Sequence, residues 1–196
     1  MNASTLRAAD VTAAAPPPRS RLRDCLVLAS LSAGGLAALA WASFASPLPR
    51  LVYNPSDSVA VGWYRIDSTS RRADALPVGS IVLARLPADA AVLAAQRGYL
   101  PAHVPLLKRV GAVSPQLVCM ADGIVRIDGV SVAAALPADR MGRPLRAWRG
   151  CRRLRPGELF LLSTTNPASF DSRYFGPIPV VGVIGVAHPL WLETRP

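Results

Sequence analysis

LLKRVGAVSPQLVCMADGIVRIDG, residues 106–129, decides the fold. It holds three short apolar or alternating runs, 106–110, 117–120 and 124–127, separated by Gly, Ser-Pro and Asp-Gly. An Asp-Gly pair between such runs is a hairpin signal, because the tight two-residue turn needs positive φ at both central positions. Asp128-Gly129 repeats the signal at the end of the third run. Outward from this core, runs of the same kind lie at 61–66, 80–86 and 158–162, each with Gly, Pro, Asp or Ser nearby. A single helix is expected over 88–97, ended by Gly98. With 19 prolines and 14 glycines scattered through 196 residues, turns are frequent and long helices few, so the body is expected to be mainly β.

Upstream, residues 25–46 read CLVLASLSAGGLAALAWASFAS, uncharged and apolar on every face. A helix of about 20 such residues crosses a bilayer core, whereas a buried helix of a globular domain keeps a polar side. Arg19, Arg21 and Arg23 precede it, which by the positive-inside tendency puts the N-terminus in the cytoplasm. Residues 1–24, Ala/Pro/Arg-rich with Pro16-Pro17-Pro18, are expected as a disordered cytoplasmic tail, and 47–196 as an exported domain. Ser43-Phe44-Ala45 offers a small-x-small cleavage site, the alternative of a removable signal peptide. The apolar stretch exceeds the usual h-region of about 7–15 residues, which favours a retained anchor.

The chain has a formal charge of +10, and its positive residues are all arginine except Lys108. The arginines are dispersed, with no aromatic platform and no recognition-helix pattern, so attraction to anionic lipid explains the charge better than nucleic acid does. Cys119 and Cys151 bracket a hairpin-rich stretch within the subregion 112–155, and an oxidising compartment permits them to form a disulfide. Two cysteines and two distant histidines do not make a metal site, and neither metal nor cofactor is expected.

A serine hydroxyl is a weak nucleophile and needs a base beside it. His103 and His188 have no nucleophile motif around them, there is no G-x-S-x-G elbow, and arginine does not deprotonate. That leaves the lone lysine. Lys108 sits in a run that reads as a buried strand, and burial lowers a lysine pKa by as much as about 3–5 when complete. An ordinary lysine with its amine in solvent at a strand edge is the competing reading of that residue alone.

Three segments together sharpen the choice. Asn54, Ser56, Ser58, Gly62 and Tyr64 follow the apolar stretch; Lys108-Arg109-Val110 comes next; Ser169, Asp171, Ser172, Arg173 and Gly176 close the series. In this order and spacing they resemble the boxes of the bacterial type I signal peptidases, most closely their conjugative-transfer branch, the TraF-type maturation peptidases. The resemblance covers 47–196 and implies a coiled antiparallel β-sheet domain with one or two short helices behind a single membrane helix. It implies Ser58 as nucleophile and Lys108 as general base. Ser56 is implied to complete an oxyanion hole with the Ser58 backbone N–H, Ser169 to orient the lysine amine, and Asp171 and Arg173 to form a structural ion pair under the site. The implied protein is a monomeric inner-membrane peptidase facing the periplasm that takes exported or pilin-type precursors, with no nucleic-acid partner. Two departures stand out: Ala60 replaces a family proline, and Ser163-Thr164-Thr165-Asn166 replaces the Gly-Asp-Asn that opens the last box. A non-catalytic component of a secretion or conjugation apparatus on the same body is the alternative. An autocleaving repressor, which shares the Ser/Lys pair, fits poorly with the anchor and with the missing DNA-binding domain.

Overall fold

Two Asp-Gly pairs set the geometry of the smaller of two sheets. The computed structural model describes residues 18–44, 51–68 and 76–193. Asp122 and Asp128 hold φ of 52° and 49°, and Gly123 and Gly129 follow at 74° and 86°, the doubly left-handed pattern of a two-residue hairpin.

The helix α1, Pro18–Phe44, forms one compact unit, and the residues from Leu48 onward form the other. Its stretch Arg21–Ala42 has a mean hydropathy of 1.8, is exposed throughout, and is long and apolar enough to cross a membrane. The helix starts seven residues ahead of the expected anchor at 25–46, so 18–24 are helical rather than part of a disordered tail. Proline is tolerated at the first helical position, where its missing N–H has no intrahelical acceptor. Residues 1–17 of that tail and 45–46 of the anchor lie outside the described residues.

The second unit begins with β1 (Leu51–Asn54), β2 (Gly62–Ser68) and β3 (Ile81–Ala84), then α2 (Ala88–Gln96) and β4 (Leu106–Val113). There follow β5 (Leu117–Ala121), β6 (Ile124–Ile127), β7 (Val130–Ala134), β8 (Cys151–Arg153) and β9 (Glu158–Leu162). The four-residue helix α3 (Ser172–Phe175), β10 (Ile178–Pro179) and β11 (Val183–Leu192) complete it. Seven strands make one antiparallel sheet in the order β1-β2-β11-β3-β4-β9-β10, and four make a second in the order β7-β6-β5-β8. The protein is therefore mainly β, as expected, and among the described residues the domain adds the short helices α2 and α3 and a single 3-10 turn, Val180–Gly182.

Alternate residues of β3 divide between the two apolar clusters of the large sheet, as a strand buried on both faces requires. Val82 and Ala84 join Leu106, Val110, Leu161 and Ile178. Leu83 joins Val59, Tyr64, Ile66 and Leu107. A third cluster draws Phe160 and Leu162 from β9 together with Val118, Val125 and Ile127 from the small sheet, and so fastens one sheet to the other. Gly62, first residue of β2, has φ 143°, and a Cβ there would stand 2.1 Å from the Trp191 carbonyl oxygen on β11. Only glycine allows that close approach.

Candidate active site

Lys108 reaches the site because β4 is paired on both sides. Lys108 stands opposite Val82 in register with β3, and β9 covers the other edge. Its side chain is 3% exposed, and Nζ donates a 2.5 Å hydrogen bond to Ser169 Oγ. Burial disfavours the ammonium and brings the Lys108 pKa down to about 8; nearby Asp171 pulls it upward, and Arg173 pushes it down with burial. About a tenth of the amine is then neutral at pH 7 and about half at pH 8, far more than for a solvated lysine.

Ser169 is placed by the ion pair beneath it. Arg173 and Asp171, 1% and 0% exposed, form a two-pronged bridge, Nε to Oδ1 at 2.8 Å and Nη2 to Oδ2 at 2.9 Å. The remaining guanidinium donors go to the carbonyls of Ala134, Pro167, Asn166 and Ser169. Asp171 also accepts the Ser163 and Arg173 backbone N–H groups and thereby caps α3. One buried pair thus threads the loop 163–173 onto itself and onto the end of β7. Ser172 adds an anchor of its own, its Oγ accepting the Leu161 N–H. Gly176 ends α3 at φ 77°, with Trp148 2.7 Å from where a Cβ would lie.

Ser58 arrives on the turn between β1 and β2. Asn54, 5% exposed, is the hub of that turn. Its Nδ2 donates to the carbonyls of Ser56 (2.7 Å), Val59 (3.2 Å) and Ala60 (3.1 Å), and its Oδ1 accepts the Ser56 N–H (3.3 Å) and hydroxyl (3.0 Å). Tyr64, wholly buried, donates its hydroxyl to the Ala60 carbonyl at 2.6 Å, and burial raises its phenol pKa so that it stays a donor. Thr165 ties the two loops together by donating to the Asp57 carbonyl.

Ser56 and Ser58 hydroxyls are 2.8 Å apart. A hydroxyl has one proton, so while Ser56 donates to Asn54 it is the acceptor for Ser58. Among the described residues no hydrogen bond joins Ser58 to Lys108. Both nevertheless line one groove of about 830 Å³, together with Ser56 and Ser169. Its walls are largely apolar, with Leu83, Leu106 and Leu107 from the sheet and Phe170 from the last box.

The other expected residues lie elsewhere. Cys119 and Cys151 are register partners on β5 and β8, their sulfurs in bonding contact, and neither lines the groove. His188 faces Asp67 at 3.4 Å on the exposed side of β11 and β2. Among the described residues no group of three His, Cys, Asp or Glu side chains comes together as a metal site. Asn54 and Ser172 had no role on sequence grounds beyond filling the boxes. The only signal for them was an Asn two residues before a Ser, the start of an Asx turn, and a serine inside a charged pair.

Residues 23–192 match the family described as signal peptidase, peptidase S26. The chain is 37% identical to a conjugal transfer protein TraF of Agrobacterium fabrum over 70% of its own length and 80% of that protein's. It is 35% identical to a probable conjugal transfer protein TraF of Sinorhizobium fredii, covering 69% and 73% of the two chains. A plasmid transfer protein TraF of Escherichia coli is 32% identical over 67% and 86%. Among solved structures, a signal peptidase I of Enterococcus faecalis aligns at a TM-score of 0.35 and 20% identity over 57% and 95%, a likeness too loose to bear on the site.

Proposed function

This chain belongs to the peptidase S26 signal peptidase family, and on that premise we propose that it is a membrane-anchored serine endopeptidase with Ser58 as nucleophile and Lys108 as general base. The observation that carries the reading is a buried, pKa-lowered lysine sharing one groove with a serine hydroxyl. In the reaction, neutral Lys108 takes the Ser58 proton as Oγ attacks the scissile carbonyl. The developing oxyanion accepts the Ser58 backbone N–H and the Ser56 hydroxyl, which must first leave Asn54 Oδ1. The lysine ammonium then protonates the departing amine, and water releases the acyl group from Ser58. Ser169 holds the amine in line throughout, and Asp171 and Arg173 hold Ser169.

α1 fits a membrane anchor with the domain on the periplasmic side of the inner membrane, where Cys119 and Cys151 would persist as a disulfide. The relatives named as conjugal and plasmid transfer proteins favour an exported or pilin-type precursor as substrate. An extended peptide would lie along β1, the outermost strand of the large sheet among the described residues, beside the turn that carries Ser58.

Co-expression of the full chain with such a precursor, with the product read by mass spectrometry, tests the assignment. Ser58→Ala and Lys108→Met each abolish cleavage while the protein accumulates normally. Near-normal processing by Lys108→Met would rule out the pair and leave an anchored, non-catalytic component of a transfer apparatus.

A further inference from the structure

At one end of the groove the wall is built by the segment between β7 and β8, and its charge is unbalanced. Among the described residues Asp139 is the sole acidic residue lining the groove, against Arg97, Arg140 and Arg143 at this end and Lys108 further along. The carboxylate is fully engaged. It accepts Tyr99 Oη at 2.5 Å and Arg143 Nε at 2.7 Å, lies 3.5 Å from Arg97 Nη1, and accepts the Met141 and Arg143 N–H groups through Oδ1. Arg97 and Arg143 have further work in building the wall, donating to the Pro144 and Arg97 carbonyls. The two guanidiniums therefore share one neutralising charge. Arg140, at the exposed tip of the same turn, makes no hydrogen bond or ion pair among the described residues. The rest of the groove is mostly aliphatic. A trough of this kind attracts an apolar chain carrying negative charge at one point, because a carboxylate there gains from uncompensated guanidiniums next to low-dielectric walls.

We propose that the Arg140 end of the groove is a specificity subsite for a carboxylate of the substrate, at a fixed distance along the peptide from the bond that is cut. The proposal rests on the groove being the peptide-binding site. Two sources share this chemistry, an Asp or Glu side chain and a free C-terminal carboxylate.

The test uses the full chain bearing Ser58→Ala in nanodiscs, with binding read by fluorescence anisotropy. The probes are Ala/Leu-rich nonapeptides in which one Glu, Gln or Lys is moved through every position, each made as C-terminal acid and as amide. At one position Glu binds about fivefold tighter than Gln, and Lys binds weaker than either. The Glu gain disappears in Arg140→Gln, is kept in Arg140→Lys, and shrinks as salt is raised. If the gain follows the acid terminus and not Glu, the source is the free carboxylate. Equal binding of Glu and Gln at every position, together with equal binding of acid and amide, overturns the subsite. Wild-type cleavage without any such preference also rejects it while leaving the peptidase reading intact. A carboxylate preference in binding with no cleavage by the wild type sinks the peptidase reading and leaves the subsite standing.

Discussion

Lys108 and Ser58 line one groove, yet the loops beside them are fixed by different chemistry. The segment 163–173, which orients the lysine amine, is wound around a wholly buried ion pair whose guanidinium spends its donors on that carboxylate and four carbonyls. The turn 54–62, which delivers the serine, is wound around a neutral amide and one phenol. A buried charge cannot lose its partner without leaving the other uncompensated, whereas a neutral hub can lose contacts one at a time. The lysine side is thus coupled to the stability of the whole domain, and the serine side can be loosened locally.

Breaking the ion pair is the severest test of that contrast. Asp171→Asn leaves Arg173 buried and charged without its counterion, which costs about 3–5 kcal/mol when one partner of a buried pair is removed. Against a total stability of about 5–15 kcal/mol, the urea midpoint falls sharply and much of the protein fails to accumulate. A midpoint within experimental scatter of the wild type would show the pair to be dispensable and dissolve the distinction.

Asn54→Ala attacks the neutral hub and has a smaller effect of another kind. Up to five hydrogen bonds go, but apart from the Val59 carbonyl the groups left behind belong to the exposed Ser56 and Ala60, so the loss is about 1–2 kcal/mol and the fold survives. Cleavage drops more than stability does, by roughly 10- to 100-fold, because the serine no longer has a fixed place. Parallel denaturation curves and initial rates separate the two effects. A stability loss as large as that of Asp171→Asn would show that the turn is as deeply built in as the ion pair.

The pH profile sharpens the comparison further, since only the lysine side titrates near neutrality. The proposed mechanism requires neutral Lys108, so the rate of cleavage is expected to climb roughly tenfold per pH unit below the midpoint, about 8, and to level above it. Stability moves the same way for a different reason. Between about 8 and the ordinary 10.5 the unfolded chain binds a proton that the folded chain has released, so the folded state gains as pH rises through that window. A rate profile flat from pH 6 to 9 would remove Lys108 from the chemistry.

Much of the fold was legible because its signals are local. The runs 124–127 and 158–162 coincide with β6 and β9 to the residue, and the Asp-Gly pairs sit in the two hairpin turns between β5, β6 and β7. The helix expected over 88–97 is α2, one residue shorter. What could not be read was β11, a central strand between β2 and β3. Its Pro189 argues against a central strand. The structure accommodates it at an irregularity, where the register with β2 shifts between Pro189 and Trp191. β7 was missed too, since an edge strand with mostly exposed residues has no alternating pattern to read. For the site, motifs announced which residues gather at the groove. They could not tell that Ser58 bonds Ser56 and not the lysine, a choice made by the fold of the turn around Asn54, or that Asp139 meets Arg97 and Tyr99, partners brought in by folding across 40 or more residues.

The smallest expected effect lies on the serine side, at the family's missing proline. Ala60 uses its carbonyl twice, for Asn54 Nδ2 and Tyr64 Oη, while its N–H appears in no turn or loop hydrogen bond among the described residues. Proline keeps that carbonyl and gives up only the N–H, and its ring removes freedom from the unfolded chain. Ala60→Pro should therefore add about 0.4–1 kcal/mol, a rise of a few degrees in Tm, with cleavage held near the wild-type rate. Val59, buried just ahead of it, must accept the extended backbone that a following proline imposes for this to hold. A fall in Tm would mean that the turn takes a φ the ring forbids, and that the hydrogen bonds of Asn54 hold it there against a cost. Stabilisation together with a slower rate would mean something else: that the Ser58 turn has to move during turnover, and that an alanine at this position leaves it free to do so.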